Sequence, residues 1–172
     1  MTGKAAVISA ALVKDLRERT GAGVMECKRA LEEADGDLER AAAVLQERGL
    51  LMAEKRMHRE TSQGLIDCYI HAGGRIGAMV EVNCETDFVA RTEDFKVLAH
   101  ELAMQIAATN PLSIAEDDLP SGAEGDPAEL CLLRQPFIKD GSRTVGDVVK
   151  DVIAKTGENI RVRRFARFEL GQ

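Results

Sequence analysis

The sequence predicts an α+β protein: a three-helix module over residues 1–50, a linker helix over 51–62, and a core over 63–172 in which a three-stranded antiparallel sheet packs with helices. Three observations carry this. Apolar residues recur at helical spacing through the first fifty positions. The pattern then changes to alternation in "GLIDCYIHAGGRIGAMVEVNC", and a second alternating run closes the chain at "ENIRVRRFARFEL". A chain of 172 residues accommodates one ordinary domain, or a small one tied to a medium one.

Taken in order, Leu12, Val13 and Leu16 mark the first helix, which stops at "TGAG", where glycine permits a tight turn. Val24, Cys27, Ala30, Leu31 and Ala34 form the inner stripe of the second. Asp37 is the natural N-cap of the third, since its carboxylate accepts from free first-turn amides. Leu38, Ala41, Ala42 and Leu45 face inward there, and Gly49 suits the residue after the helix end. Three such short helices are marginal alone, so further packing is expected. "LLMAEKRMHRET" reads as a charged connecting helix.

In the sheet, Ile66, Cys68 and Ile70 alternate on one strand, and Ile76, Ala78, Val80 and Val82 on the next, with Gly73 and Gly74 in the turn. Pairing Ile70 with Ile76, Cys68 with Ala78 and Ile66 with Val80 places both sets on one face. A helix from about Glu93 to Thr109 follows, capped by Thr92, lined by Phe95, Leu98, Leu102 and Ile106, and ended by Asn110-Pro111. "EDDLPSGAEGDPAE" reads as an exposed acidic loop, so the loop region spans about 112–129. Another helix runs from Thr144 to Lys155 with Val145, Val148, Val149 and Val152 inward and Gly157 at its end. On the last strand Ile160, Val162, Ala166, Phe168 and Leu170 face in, with Arg164 as a misfit.

Composition narrows function. The formal net charge of −6 disfavours a primary nucleic-acid binder, which gains affinity by neutralising phosphates. No run approaches the roughly 20 apolar residues that span a bilayer. The N-terminal run lacks a secretion signal, so a cytoplasmic protein is expected. Cys27, Cys68, Cys84 and Cys131 are scattered and read as small buried hydrophobes in a reducing compartment; His58, His71 and His100 suggest no local metal site. "TGAGVMECK" has glycines but neither a preceding strand nor a Gly-Lys pair, so it reads as a helix-to-helix turn. No nucleophile motif is present, and no cofactor is expected. Arg161, Arg163 and Arg167 share a face with Phe165, which suits either an RNA-stacking sheet or a solvated one. In "NCETDFVAR", Phe88 either plugs the sheet end or stands outward as an interface anchor.

Three long blocks narrow it further. "LVKDLRERTGAGVMECKRALEEADGDLERAAAVLQERG" resembles the N-terminal module of the translation elongation factor Ts family, a three-helix unit of the ubiquitin-associated-like kind. "YIHAGGRIGAMVEVNCETDFVAR" is similar to that family's core hairpin and turn, and "TGENIRVRRFARFEL" to its closing strand. The resemblance implies a guanine-nucleotide exchange factor for elongation factor Tu that acts by binding rather than as an enzyme. It further implies that the turn Thr86, Asp87, Phe88 and Val89 inserts between helices of the GTPase domain, with Phe88 as wedge. Arg17, Val24, Met25 and Lys28 match contacts of the N-terminal module, His71 a core histidine, and Thr156-Gly157 a contact loop. Val24 stands where methionine is more usual.

Short forms of the family pair through their sheet modules, so the resemblance also implies a homodimer, with Ala166 where some short forms carry cysteine. In place of a long helical insertion this chain has the short acidic stretch Glu116 to Glu129. Two other readings remain: a peptide-binding adaptor using the helical head, and an RNA-binding sheet protein.

Overall fold

A computed structural model describes residues 8–171; the sequence reading of the extreme N-terminus falls partly on residues 1–7, outside the described residues. The first helices are α1 (Ala10–Thr20), α2 (Val24–Glu33) and α3 (Leu38–Arg56). Ser9 caps α1 by accepting from Leu12 N, and Gly21 ends it in the left-handed region at φ +70°. Asp37 caps α3 as expected. Leu16, Cys27, Ala30, Leu31, Ala34 and Ala41 form a small core between these helices. Val24, expected in the inner stripe, is instead exposed, because the first turn of α2 projects beyond that core.

The third helix does not stop at Gly49. It runs on to Arg56 and absorbs much of the expected linker helix. A mid-helix glycine costs about 1 kcal/mol relative to alanine, but here its missing side chain lets a later helix approach. A β-carbon at Gly49 would lie 2.8 Å from that of Ala154. Ala53, one turn further on, is fully buried in the main core.

The sheet has the order β1–β2–β5, all antiparallel, from β1 (Gln63–Ile70), β2 (Ile76–Cys84) and β5 (Ile160–Glu169). Its inner face carries Ala78, Val80, Val82 and Cys84 of β2 against α5 (Glu93–Thr109), whose buried Phe95, Leu98, Leu102 and Ile106 are those the sequence predicts. Thr92 and Asn110 bound α5 as expected.

The β1 register differs by one residue from the expectation. Tyr69 lies opposite Ala78, Asp67 opposite Val80 and Leu65 opposite Val82, so Ile66, Cys68 and Ile70 point outward. Both faces of β1 carry apolar side chains, so alternation alone could not choose between them. The inner choice is made by partners on α5: Tyr69 sits edge-on to His100 at 6.0 Å, and Asp67 lies 3.4 Å from His100.

The misfit Arg164 also has a cause. A bulge lies between Glu81 and Val82 against β5, where Val82 faces Val162 but Glu81 faces Arg164. Beyond it the faces exchange: Phe165 and Arg167 turn inward, while Ala166, Phe168 and Leu170 turn out, contrary to the expected assignment.

The acidic stretch is exposed from Glu116 to Asp118 and from Pro120 to Pro127, but it is anchored at both ends. Ser113 bridges Cys131, and the short α6 (Pro127–Leu130) is capped by Asp126. A small hairpin not anticipated from sequence follows, β3 (Pro136–Phe137) and β4 (Asp140–Thr144). Buried Gln105 holds it, donating to Pro136 O at 3.2 Å and accepting from Ile138 N at 2.9 Å. The capping box of Thr144 and Asp147 then starts α7 (Val145–Thr156), which packs on α3 and ends at Gly157.

Among the described residues, no helix is long and apolar enough to cross a membrane.

Candidate protein-binding site

The turn after β2 is built to expose one ring. Thr86 caps the one-turn helix α4 (Asp87–Ala90), its hydroxyl accepting from Val89 N at 3.5 Å. Val89 is buried, so of the predicted quartet it anchors the turn rather than presenting a contact. Phe88, its neighbour, is 77% exposed, so it does not plug the sheet end. Asp87 pairs with Arg91 at 2.7 Å across the outer surface of the turn.

The turn is locked from below. Thr86 N and Oγ1 donate to the Glu158 carboxylate at 2.9 and 2.6 Å, and Cys84 Sγ lies 3.1 Å from Thr86 O. Burial, then the charge of Glu158, pushes the Cys84 thiol up to about 11, so it stays protonated near neutrality. Asn159, fully buried, donates its backbone N–H to Glu85 Oε1 at 2.6 Å. Its side-chain amide donates to the carbonyls of Met57 (3.3 Å) and Arg59 (2.7 Å), just beyond α3.

Glu158 and Asn159 directly follow Thr156 and Gly157. Gly157 adopts φ +78°, and Thr156 Oγ1 donates back to Val152 O. Lys155, one residue earlier, pairs with Asp94 at 2.6 Å and lies under Gly21, whose β-carbon would be 3.1 Å from its Cε. The end of α7 therefore joins the α1–α2 turn on one side to the Phe88 turn on the other.

Of the predicted residues on the helical module, Val24 and Met25 are 51% and 59% exposed, a pair of large apolar side chains at the start of α2. Lys28 follows one turn on, 3.8 Å from Glu32, and Arg17 is exposed near the end of α1. His71 is not brought to this group. It closes the far end of the hairpin, with His71 N donating to Ile76 O, about 26 Å along β2 from the Phe88 turn at roughly 3.3 Å per residue.

Glu158, Asn159, Glu85 and Lys155 were missed from sequence. The available signal was a Glu-Asn pair placed between a helix-ending glycine and a strand, where polar side chains entering the fold must serve some backbone. The predicted basic strip, by contrast, is dispersed by the bulge. Arg167 turns inward to donate to Ala107 O and Phe165 packs on the core, while Arg161 and Arg163 stay exposed.

The family model for "Elongation factor TS" matches residues 6–125. Among curated proteins, elongation factor Ts of Coprothermobacter proteolyticus is 50% identical, aligned over 96% of this chain and 99% of its own length. Those of Moorella thermoacetica and Heliobacterium modesticaldum are 49% and 48% identical over 96% of this chain, and over 97% and 91% of theirs. An exposed ring on a braced turn, an exposed apolar pair on a helical head and similarity along nearly the whole chain thus converge: this protein belongs to the elongation factor Ts family.

Proposed function

We infer that this chain is a guanine-nucleotide exchange factor that binds elongation factor Tu and speeds release of GDP during translation elongation. The observation that carries the reading at the level of residues is Phe88, a large ring held outward on a turn too short to move independently of its supports. No covalent step is required. A protein that binds the empty GTPase more tightly than the GDP-bound form weakens GDP by the same factor, because the two equilibria are linked. Phe88 contributes if its receiving pocket is more open in the empty state. In this reading Asp87 fixes the approach of the ring. Arg17, Val24, Met25 and Lys28 grip a second surface of the same partner, with Thr156-Gly157 between them. The site of action is the cytoplasm, and neither nucleic acid nor membrane is a direct ligand.

Release of a fluorescent GDP analogue from elongation factor Tu, with the wild-type chain and with Phe88→Ala, tests this. Strong acceleration by the wild type and a marked loss in the variant are expected. An unchanged release rate with a stoichiometric excess of wild type overturns the reading in favour of an adaptor role.

A homodimer through the outer sheet face is part of the same proposal. Ile66, Cys68, Ile70, Met79, Phe168 and Leu170 form an exposed apolar surface, with Phe168 74% exposed. Cys68, Met79 and Ala166 lie in one cross-strand row. Contiguous apolar surface of this kind marks an interface.

A further inference from the structure

We propose that Glu158 is a positioning residue for exchange: its carboxylate holds the turn that carries Phe88 in the orientation the partner requires. The proposal rests on the reading of Phe88 as the wedge. α4 is a single turn, and a helix so short does not hold its own conformation in water. Its order must come from outside. Glu158 supplies it through both oxygens: Oε2 accepts from Thr86 N, and Oε1 accepts from Thr86 Oγ1.

The same hydroxyl, with its proton committed to Glu158, offers its lone pair to Val89 N, the amide immediately after Phe88. A carboxylate 72 residues away along the chain thereby orients the backbone that bears the ring, through one intervening hydroxyl. The next residue repeats the arrangement on the preceding side of the turn, since Asn159 N donates to Glu85 and its side chain to the carbonyls beyond α3. Arg59, whose carbonyl is the second of those acceptors, also reaches Glu85 with its guanidinium at 3.4 Å. Two consecutive residues therefore bind the wedge turn, the Thr156-Gly157 loop and the end of α3 into one body. A partner meeting this surface does not have to order it, and the ordering cost otherwise falls on association.

The test measures GDP-analogue release from elongation factor Tu against concentration of the full chain. It compares wild type, Glu158→Ala, Phe88→Ala and the double variant. Glu158→Ala is expected to raise the half-saturating concentration about tenfold, the size associated with losing charge-assisted hydrogen bonds. In the Phe88→Ala background the same change should have almost no further effect, because Glu158 acts through the ring. An equal loss in both backgrounds, or none in either, overturns the proposal.

Glu158→Gln keeps one acceptor toward Thr86 but turns an N–H toward its hydroxyl, so it should give a smaller loss of the same kind, and it serves if the alanine variant does not fold. As a second readout, the chain has no tryptophan, so Phe88→Trp provides a single tryptophan at the turn, excited selectively over Tyr69. Adding Glu158→Gln or Glu158→Ala to that chain should increase the fast loss of anisotropy; an unchanged decay counts against the proposal. Failure of wild type to accelerate release, or of Phe88→Ala to reduce it, identifies instead a failure of the wedge reading beneath it.

Discussion

Gly49 and Ala154 meet where α3 crosses α7, so closely that a β-carbon on the glycine would stand 2.8 Å from that of the alanine. This contact fastens the helical module to the core. In an exposed helix, Gly49→Ala would stabilise by about 1 kcal/mol. Here the overlap outweighs that gain, since overpacking costs on the order of 1 to 3 kcal/mol. Gly49→Ala should lower the thermal midpoint, and a rise would show that the two helices part without cost.

Phe88→Ala should separate stability from function. The ring is largely exposed, so folding stability should change by less than about 0.5 kcal/mol. Loss of a buried anchor at the interface should weaken the complex with elongation factor Tu by on the order of 2 to 4 kcal/mol. Chemical denaturation and calorimetric titration of the same preparation check the two halves.

The outer sheet face predicts concentration-dependent association. Phe168→Lys places a charge in the apolar surface and should shift sedimentation from dimer to monomer while leaving the fold intact. Wild type that sediments as a monomer at high micromolar concentration would remove the dimer from the proposal.

Thiol labelling should be selective. Cys68 lies exposed on that face, whereas Cys27, Cys84 and Cys131 are buried, and Cys84 is pushed up to about 11. In native protein at neutral pH one thiol should react under dilute conditions, and it should be protected as concentration rises if the sheet faces pair. Rapid labelling of Cys84 would show that the Thr86 turn opens.

Acid should release the cap of α7. The hydroxyl and then the backbone N–H of Thr144 hold the Asp147 carboxyl below its ordinary value. Because the folded value is the lower one, its contribution is fully present above the unfolded value of roughly 4 and is lost as pH falls through the folded value. Wild type should exceed Asp147→Asn in stability above about pH 5, and the two should converge in stronger acid. A gap independent of pH would mean that the hydrogen-bond geometry, not the charge, stabilises the cap.

By itself the sequence determined what acts within a few residues along the chain. The caps Asp37 and Thr92, the ends at Gly21, Asn110 and Gly157, and the stripe Phe95, Leu98, Leu102 and Ile106 all depend on spacing within one or two helical turns. The three alternating runs likewise announced the strands, because a two-residue period requires no partner to be seen. What needed the tertiary structure was every choice between nearly equal local options. β1 is apolar on both faces, so its direction was decided by Asp67 and Tyr69 meeting His100 on another element. The bulge opposite Glu81 exchanged the faces of β5, and Gly49 served a helix crossing rather than a helix end. Phe88 had no local reason to stand outward. Its exposure follows from Val89 entering the core and from Glu158 and Asn159, some seventy residues along the chain, closing on Thr86 and Glu85. Hydrogen bonds across that separation leave no periodicity in a sequence, because only the packed core brings their partners within reach.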